Sequence, residues 1–462
     1  MNINGNFEFL NIGLPEDILR RKTWGDFEGA VRLIDKRLAG DIPDALRACL
    51  ICEREMILRL ENDYPFSEAQ AIEKIQSAIP DFTEAEFHEM VDDNKIDWIY
   101  VHGEPHYFLR FYQTLIKTDA AFAERAGVAD RGRVDGEDSD TAQESLLDRA
   151  ARLMRENGKL SNRIRIRASV RIKDEYFEKG KRVRVHSPIP SACIQQSEIK
   201  LVGFSSEPTY IAPEDAPQRT VYWEEVMQEN HPFWVEYSYV HTAPYVDPMK
   251  IVPDAEQPTF FTNEENPHIV FTPYIKELVK TLTKGVTNPV EKARIFYDFV
   301  TLNVKYSFMR EYFGLENIAE NCARNFKGDC GVQALLFITL CRCAGIPARW
   351  QSGLFVTPDD TGCHDWAQFY IAPYGWLFAD PSFGGSAHRM GDSERNDFYF
   401  GNLDPFRMAA NSELQADFDP PKTQLRIDPF DNQRGEAEYA DVGIRWMDKE
   451  CDWKTIEMKK LS

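Results

Sequence analysis

A cysteine, a histidine and an aspartate stand in that order in the C-terminal third of the chain. They are Cys330 in Gly328-Asp329-Cys330-Gly331, His364 in His364-Asp365-Trp366, and Asp380 in Asp380-Pro381-Ser382. A thiol is a poor nucleophile until it loses its proton, and an imidazole oriented by a carboxylate is a group that can take that proton. The three residue types therefore point to covalent catalysis by a thiolate. Attack on an amide or ester carbonyl would give a thioester acyl-enzyme. Water as the second acceptor gives hydrolysis, and an amine gives transfer.

The elements that must position these groups can be read from the flanking residues. Val332 to Ala344 is apolar almost all round, the pattern of a helix buried on every face, with Gly345 as its stop and Pro347 beyond. Cys330 then sits at a helix N-terminus, where unpaired backbone N–H groups and the positive end of the macrodipole favour a thiolate. Arg349 to Val356 reads as a strand, and a loop through Pro358, Asp359, Asp360 and Gly362 leads to His364. From His364 to Ile371 the residues alternate, with His364, Trp366, Gln368 and Tyr370 on one face and Asp365, Ala367, Phe369 and Ile371 on the other. Pro373-Tyr374-Gly375 turns the chain, and Trp376 to Asp380 returns antiparallel. A register setting Asp380 opposite Trp366 or Gln368 would place its carboxylate on the face of His364.

The run GDCGVQALLFITLCRCAGIPARWQSG, followed by HDWAQFYIAPYGWLFADPSFGG, closely resembles the core of the transglutaminase-like superfamily of papain-fold cysteine enzymes, in its bacterial, cysteine-protease-like form. The shared features are Cys330 at a helix start, Gly345 to Arg349 leading into a strand, His364 with Trp366, and Trp376 with Asp380-Pro381. Asp365 departs from the commoner His-Ala-Trp pattern. The resemblance covers roughly residues 268 to 405. It implies that Cys330 is the nucleophile, His364 the base and then acid, and Asp380 the orienting carboxylate. It further implies an oxyanion site made by the backbone N–H of Cys330 with an upstream side chain, for which Tyr306 and Tyr312 are the candidates, and Trp366 as a substrate-side contact. Microbial proteins with this core resemble amidohydrolases or peptidases more than protein crosslinkers, so hydrolysis of a peptide, protein or small amide is the expected reaction. A transglutaminase-type transfer to an amine and a non-catalytic binding module are the alternatives.

Other chemistries leave little trace. His88-Glu89-Met90-Val91-Asp92 lacks the second histidine of the zinc-protease motif, and no G-x-S-x-G, Walker loop or dinucleotide fingerprint occurs. Cys322, Cys330, Cys341, Cys343 and Cys363 cluster in sequence without C-x-x-C spacing, which reads as core packing rather than a metal site. No cofactor and no metal are expected. The formal net charge of -21 argues against nucleic acid or an anionic membrane as partner. The N-terminus lacks a basic start and an apolar stretch, no span for a bilayer is seen, and nine cysteines without a disulfide framework fit a reducing compartment, so the expected location is cytoplasmic. Oligomeric state is not readable.

With 462 residues the chain has room for about three domains, and the expected class is α+β. Residues 1–158 read as a helical domain, with helices over Asp26 to Leu38, Pro43 to Leu60, Ser67 to Ala78, Thr83 to Val91 and Ser145 to Glu156. It carries an aromatic cluster of Trp98, Tyr100, Tyr107, Phe108 and Tyr112 that reads as core, and a polar linker over Gly127 to Glu144. Residues 159–255 switch to a two-residue period and read as an antiparallel, sandwich-like β domain, a feature often found before this core in bacterial relatives. Residues 256–405 form the papain-like core, entered by a helix over Pro289 to Val300 with Asn288 as N-cap. Residues 406–462 read as an extension packed on the core, its Asp-rich loops lacking calcium-loop spacing.

Overall fold

The computed structural model describes residues 7–128, 144–428 and 430–461, so most of the polar linker lies outside the described residues. The fold is α+β, built from helices and several antiparallel sheets. After a short helix over Glu16–Thr23, helices run over Phe27–Leu38 (α1), Asp44–Asp63 (α2), Glu68–Gln76 (α3) and Glu84–Asp92 (α4). Their starts are set by side chains. Asp26 accepts from the Gly29 N–H, while Ser67 with Gln70 and Thr83 with Glu86 form capping boxes. A hairpin of Trp98–Val101 (β1) and Glu104–Tyr107 (β2) follows, and its aromatic residues pack inward: Tyr107 and Phe108 are buried, with Tyr107 edge-on to Phe87 at 4.8 Å.

The helix Leu146–Asn157 (α5) ends at Gly158 in the left-handed conformation and delivers the chain to a long strand, Lys159–Ile172 (β3). Arg182–Pro188 (β4), Gln196–Phe204 (β5), Thr220–Val226 (β6) and Phe233–Pro244 (β7) complete the β region. These strands fall into two sheets whose inner residues, among them Ile164, Ile166, Val183, Val221, Trp223 and Tyr237, share one core.

In the next segment Asn288 caps the helix Pro289–Asn303 (α6), its side chain accepting from Val290 and Glu291. Cys330–Cys343 (α7) is the central helix. Every residue from Gly331 to Arg342 is buried, as its largely apolar sequence requires. It lies on a five-stranded antiparallel sheet ordered Phe400–Gly401, Gly375–Ala379 (β10), Thr361–Ile371 (β9), Ala348–Val356 (β8) and Arg407–Asn411 (β11). Pro381–Arg389 (α8) follows β10 directly. Phe369 on β9 meets Phe337 of α7 edge-on at 5.8 Å, so the face of Ala367, Phe369 and Ile371 is the one against the helix.

The C-terminal residues, expected to lie on the core, enter all three of these sheets. β11 pairs with β8, Glu436–Tyr439 (β12) pairs with β4, and Lys449–Lys460 (β13) pairs with β3 along its length. The two-residue alternation of the last strand (Cys451, Trp453, Thr455) was open to pairing with any exposed edge, and the free edge of β3 is the one it takes.

Gly353, which pairs with His364 across β8 and β9, sits at a bulge where β11 approaches closely. A Cβ there would lie 1.9 Å from the Met408 carbonyl oxygen. Gly353→Ala is therefore expected to cost about 3 kcal/mol, because a backbone atom must give way. Urea unfolding checks it, and an unchanged midpoint would contradict the close approach.

Candidate active site

Asp329 caps α7, its carboxylate accepting from the Val332 N–H at 3.2 Å, and so places Cys330 in the first helical position. Gly331 leaves room for a neighbour: a Cβ there would fall 2.1 Å from the Tyr312 hydroxyl. That hydroxyl donates to Asp329 at 2.7 Å and stands 3.4 Å from Asp365. The Cys330 thiol donates to Asp365 Oδ2 at 3.1 Å, and Gln433 Nε2 donates to the other oxygen at 2.6 Å. Asp431 is close behind, accepting from Ser352 and from Asn411.

Burial raises the Asp365 carboxyl well above the usual carboxylate range, and the charges of Asp431 and Asp329 add to it. Burial likewise pushes Asp431 up to about 6. The Cys330 thiol is held well above its ordinary value, first by burial, then by Asp365 and Asp329. Burial and the acidic surroundings thus oppose the helix terminus and favour the thiol over the thiolate. The thiol opens on a cleft of about 280 Å³. Tyr306, buried on one wall, and Arg110, from the segment after β2, line it with Arg434 and Lys449 of the C-terminal residues.

His364 and Asp380 lie together. Ala367 pairs with Ala379, which sets Asp380 opposite Trp366, and His364 Nε2 lies 2.7 Å from Asp380 Oδ2. Both side chains are buried. Asp380 also caps α8 by accepting from Phe383 and forms an ion pair with Arg407 at 3.0 Å; Arg407 in turn pairs with Asp404. The charges of His364 and Arg407 hold the Asp380 carboxyl low against the opposing effect of burial, while burial pulls His364 below its ordinary value.

The expected triad is nevertheless divided. His364 faces Trp366, Phe383 and the Asp380–Arg407 pair on the reverse side of β9, while Cys330 takes Asp365, the neighbouring residue on the opposite face. The alternation of His364 and Asp365 was legible, but not which face the helix would cover. The apolar series Ala367, Phe369, Ile371 against Trp366, Gln368, Tyr370 was the available signal, since a wholly apolar helix packs on the more apolar face. Trp366, expected at the substrate, lies on the His364 side and donates to Gln351 at 2.7 Å. Tyr312 and Tyr306 do lie at the cleft, with the Tyr312 hydroxyl engaged by Asp329. Asp329, Asp431 and Gln433 were not anticipated. The last two belong to a stretch whose Pro, Asp and Asn content reads only as loop.

Among the described residues, the group whose ligand atoms could share a metal ion is Glu68, Glu84 and His88, on the helical region and away from Cys330. Among the same residues no helix is long and apolar enough to cross a membrane.

Residues 276–381 match the family described as the Transglutaminase-like superfamily. Comparison with curated proteins gives no match. Among solved structures, a putative cysteine protease from Cytophaga hutchinsonii is 14% identical, with 66% of this chain and 90% of that one covered at a TM-score of 0.35. The periplasmic domain of TgpA from Pseudomonas aeruginosa is also 14% identical, with 56% of this chain and 100% of that one covered at a TM-score of 0.29. The family match encloses Cys330, His364, Asp365 and Asp380 alike, and residues 276–381 form a transglutaminase-like domain.

Proposed function

We propose that this protein is a thiol-dependent hydrolase of amide or peptide bonds, acting through a thioester on Cys330. The observation that carries the reading is the hydrogen bond from the Cys330 thiol to Asp365 at the head of α7, inside a cleft able to admit a substrate. In its ionised form Asp365 takes the thiol proton as sulfur attacks the carbonyl carbon. The oxyanion is met by first-turn backbone N–H groups of α7, which have no intrahelical acceptor. The protonated Asp365 then gives its proton to the leaving amine as the C–N bond breaks. In the second half water loses a proton to Asp365, attacks the thioester, and releases the acid and the thiol. A raised carboxyl pKa suits a group that must hold a proton between the two transfers.

A second reading has one observation in its favour. His364 and Asp380 form a buried, hydrogen-bonded pair of the kind that orients a catalytic imidazole. For Cys330, His364 and Asp380 to act as a triad, β9 must turn His364 toward α7.

The test is cleavage of a peptide library by the full chain, followed by mass spectrometry with and without added glycinamide. Cys330→Ala is expected to lose activity by about 10³-fold or more. Products that form equally with this variant would sink the hydrolase reading, and glycinamide adducts outrunning free acid would replace hydrolysis with transfer.

A further inference from the structure

The carboxylates around the Cys330 cleft fall into two groups. Asp63 pairs with Arg310 at 2.8 Å, Glu311 with Arg59 at 2.7 Å, and Glu436 with Lys422 at 2.7 Å. Asp329, Asp365, Asp428 and Asp431 have no cation so placed, and burial moves all four toward the protonated form. The cations are distributed differently. Arg110, Arg434 and Lys449 line the same cleft, and none is in an ion pair among the described residues.

Their geometry is that of donors waiting for a planar anion. The Arg110 guanidinium lies over the Phe308 ring at 3.5 Å, and that of Arg434 over Trp446 at 5.8 Å with the Cys363 sulfur beside it, so rings cover their faces while no carboxylate pairs with their edges. Lys449 is only 6% exposed, and its ammonium meets the Cys451 sulfur at 3.7 Å, a contact too weak to balance a buried charge. The same sulfur lies 2.9 Å from the Arg434 carbonyl, which puts Lys449 and Arg434 on one wall. Arg110 comes from the helical region, close enough to Arg434 that the two charges repel. In a chain of net charge -21, three unpaired cations in one cleft are not a background feature.

We propose that the substrate of this cleft carries an ionised carboxylate, held by the edges of Arg110 and Arg434 with Lys449 behind them. The proposal rests on the reading of Cys330 as the nucleophile and gives the helical region a role in selecting the acyl donor. The carboxylate could be a peptide C-terminus or an acidic side chain, since both present the same two oxygens.

The test compares alkylation of Cys330 by iodoacetate and by iodoacetamide. Both reagents form the same Sγ–CH₂ bond and release iodide, with the thiol proton passing to solvent. The ratio of the two rates cancels the intrinsic reactivity of the thiol, so the absolute rates report on the nucleophile and the ratio on the anion site. The native ratio, divided by that of glutathione, is expected to be about tenfold or more, falling about fivefold in Arg110→Gln and likewise in Arg434→Gln. The two substitutions lie on different parts of the chain, so misfolding of one leaves the other decisive. A native ratio equal to that of glutathione, or one that survives both substitutions, overturns the proposal. Protection of Cys330 by acetyl-trialanine, its C-terminal amide and acetyl-Ala-Glu-Ala amide identifies the source of the carboxylate. Equal protection by the neutral amide and both acids also overturns it.

Discussion

In the Asp365→Asn variant, Cys330 is expected to react about tenfold faster with iodoacetamide at pH 7 than in the native chain, while amide hydrolysis falls by about 10²-fold or more. The opposite signs come from one hydrogen bond. After burial, the charge of Asp365 is the largest influence keeping the thiol protonated, so neutralising it lowers the thiol pKa and raises the thiolate fraction. Asn cannot accept the thiol proton or return it to the leaving amine, so turnover drops although the sulfur is more reactive. His364→Ala should leave alkylation within about threefold, because the imidazole lies on the other face of β9. Alkylation read by peptide mass spectrometry between pH 5 and 9 distinguishes the cases. Fast alkylation of the native chain at low pH that collapses in His364→Ala would instead mean a thiolate–imidazolium pair, and the triad would displace Asp365 as the proton acceptor.

Arg407→Met is expected to cost about 3–5 kcal/mol at pH 8, the largest stability loss we foresee from a single substitution. Arg407, Asp380 and Asp404 are all inaccessible to solvent, and Arg407 forms an ion pair with each of the two carboxylates. Methionine fills much of the space but leaves two buried carboxylates with less compensation. The loss should depend on pH. Burial holds the native His364 pKa down and the charge of Arg407 adds to that, while Asp380 pulls it up. Without Arg407 the folded pKa of His364 is expected to rise from its lowered position. A histidine held below its unfolded value of about 6.5 costs the native fold stability as pH falls through that value, and the variant is spared part of that cost. The deficit should therefore be smaller at pH 5.5 than at pH 8. Urea midpoints at the two pH values check this, and a deficit below about 1 kcal/mol at both would show that the charge of Arg407 is not needed.

Local signals carried much of the fold. The helix over Cys330–Cys343, its Gly345 stop, the Asn288 cap and the strand pair bearing His364 and Asp380 all follow from residues within a few positions of one another. So does the meeting of His364 with Asp380, because a short hairpin admits few registers and the two-residue period then assigns the face. Residues that act at a distance were not legible. Asp431 and Gln433 reach Asp365 and its surroundings from about 70 residues further along the chain, and Arg110 reaches the cleft from the opposite end. Nothing in their flanking residues marks them out from ordinary loop positions.

The sequence by itself determined which chemical groups this protein has to work with: a cysteine at a helix head, a histidine and an aspartate on paired strands, and the helical and β regions around them. Capping, periodicity and turn chemistry act over a few residues, so they can be read without knowing the fold. Only the tertiary structure decided that Asp365 and not His364 faces the thiol, because that choice belongs to how a buried helix lies on a sheet. Side-chain alternation divides a strand into two faces, but the packing of α7 on β9 is what gives one of those faces to the cysteine.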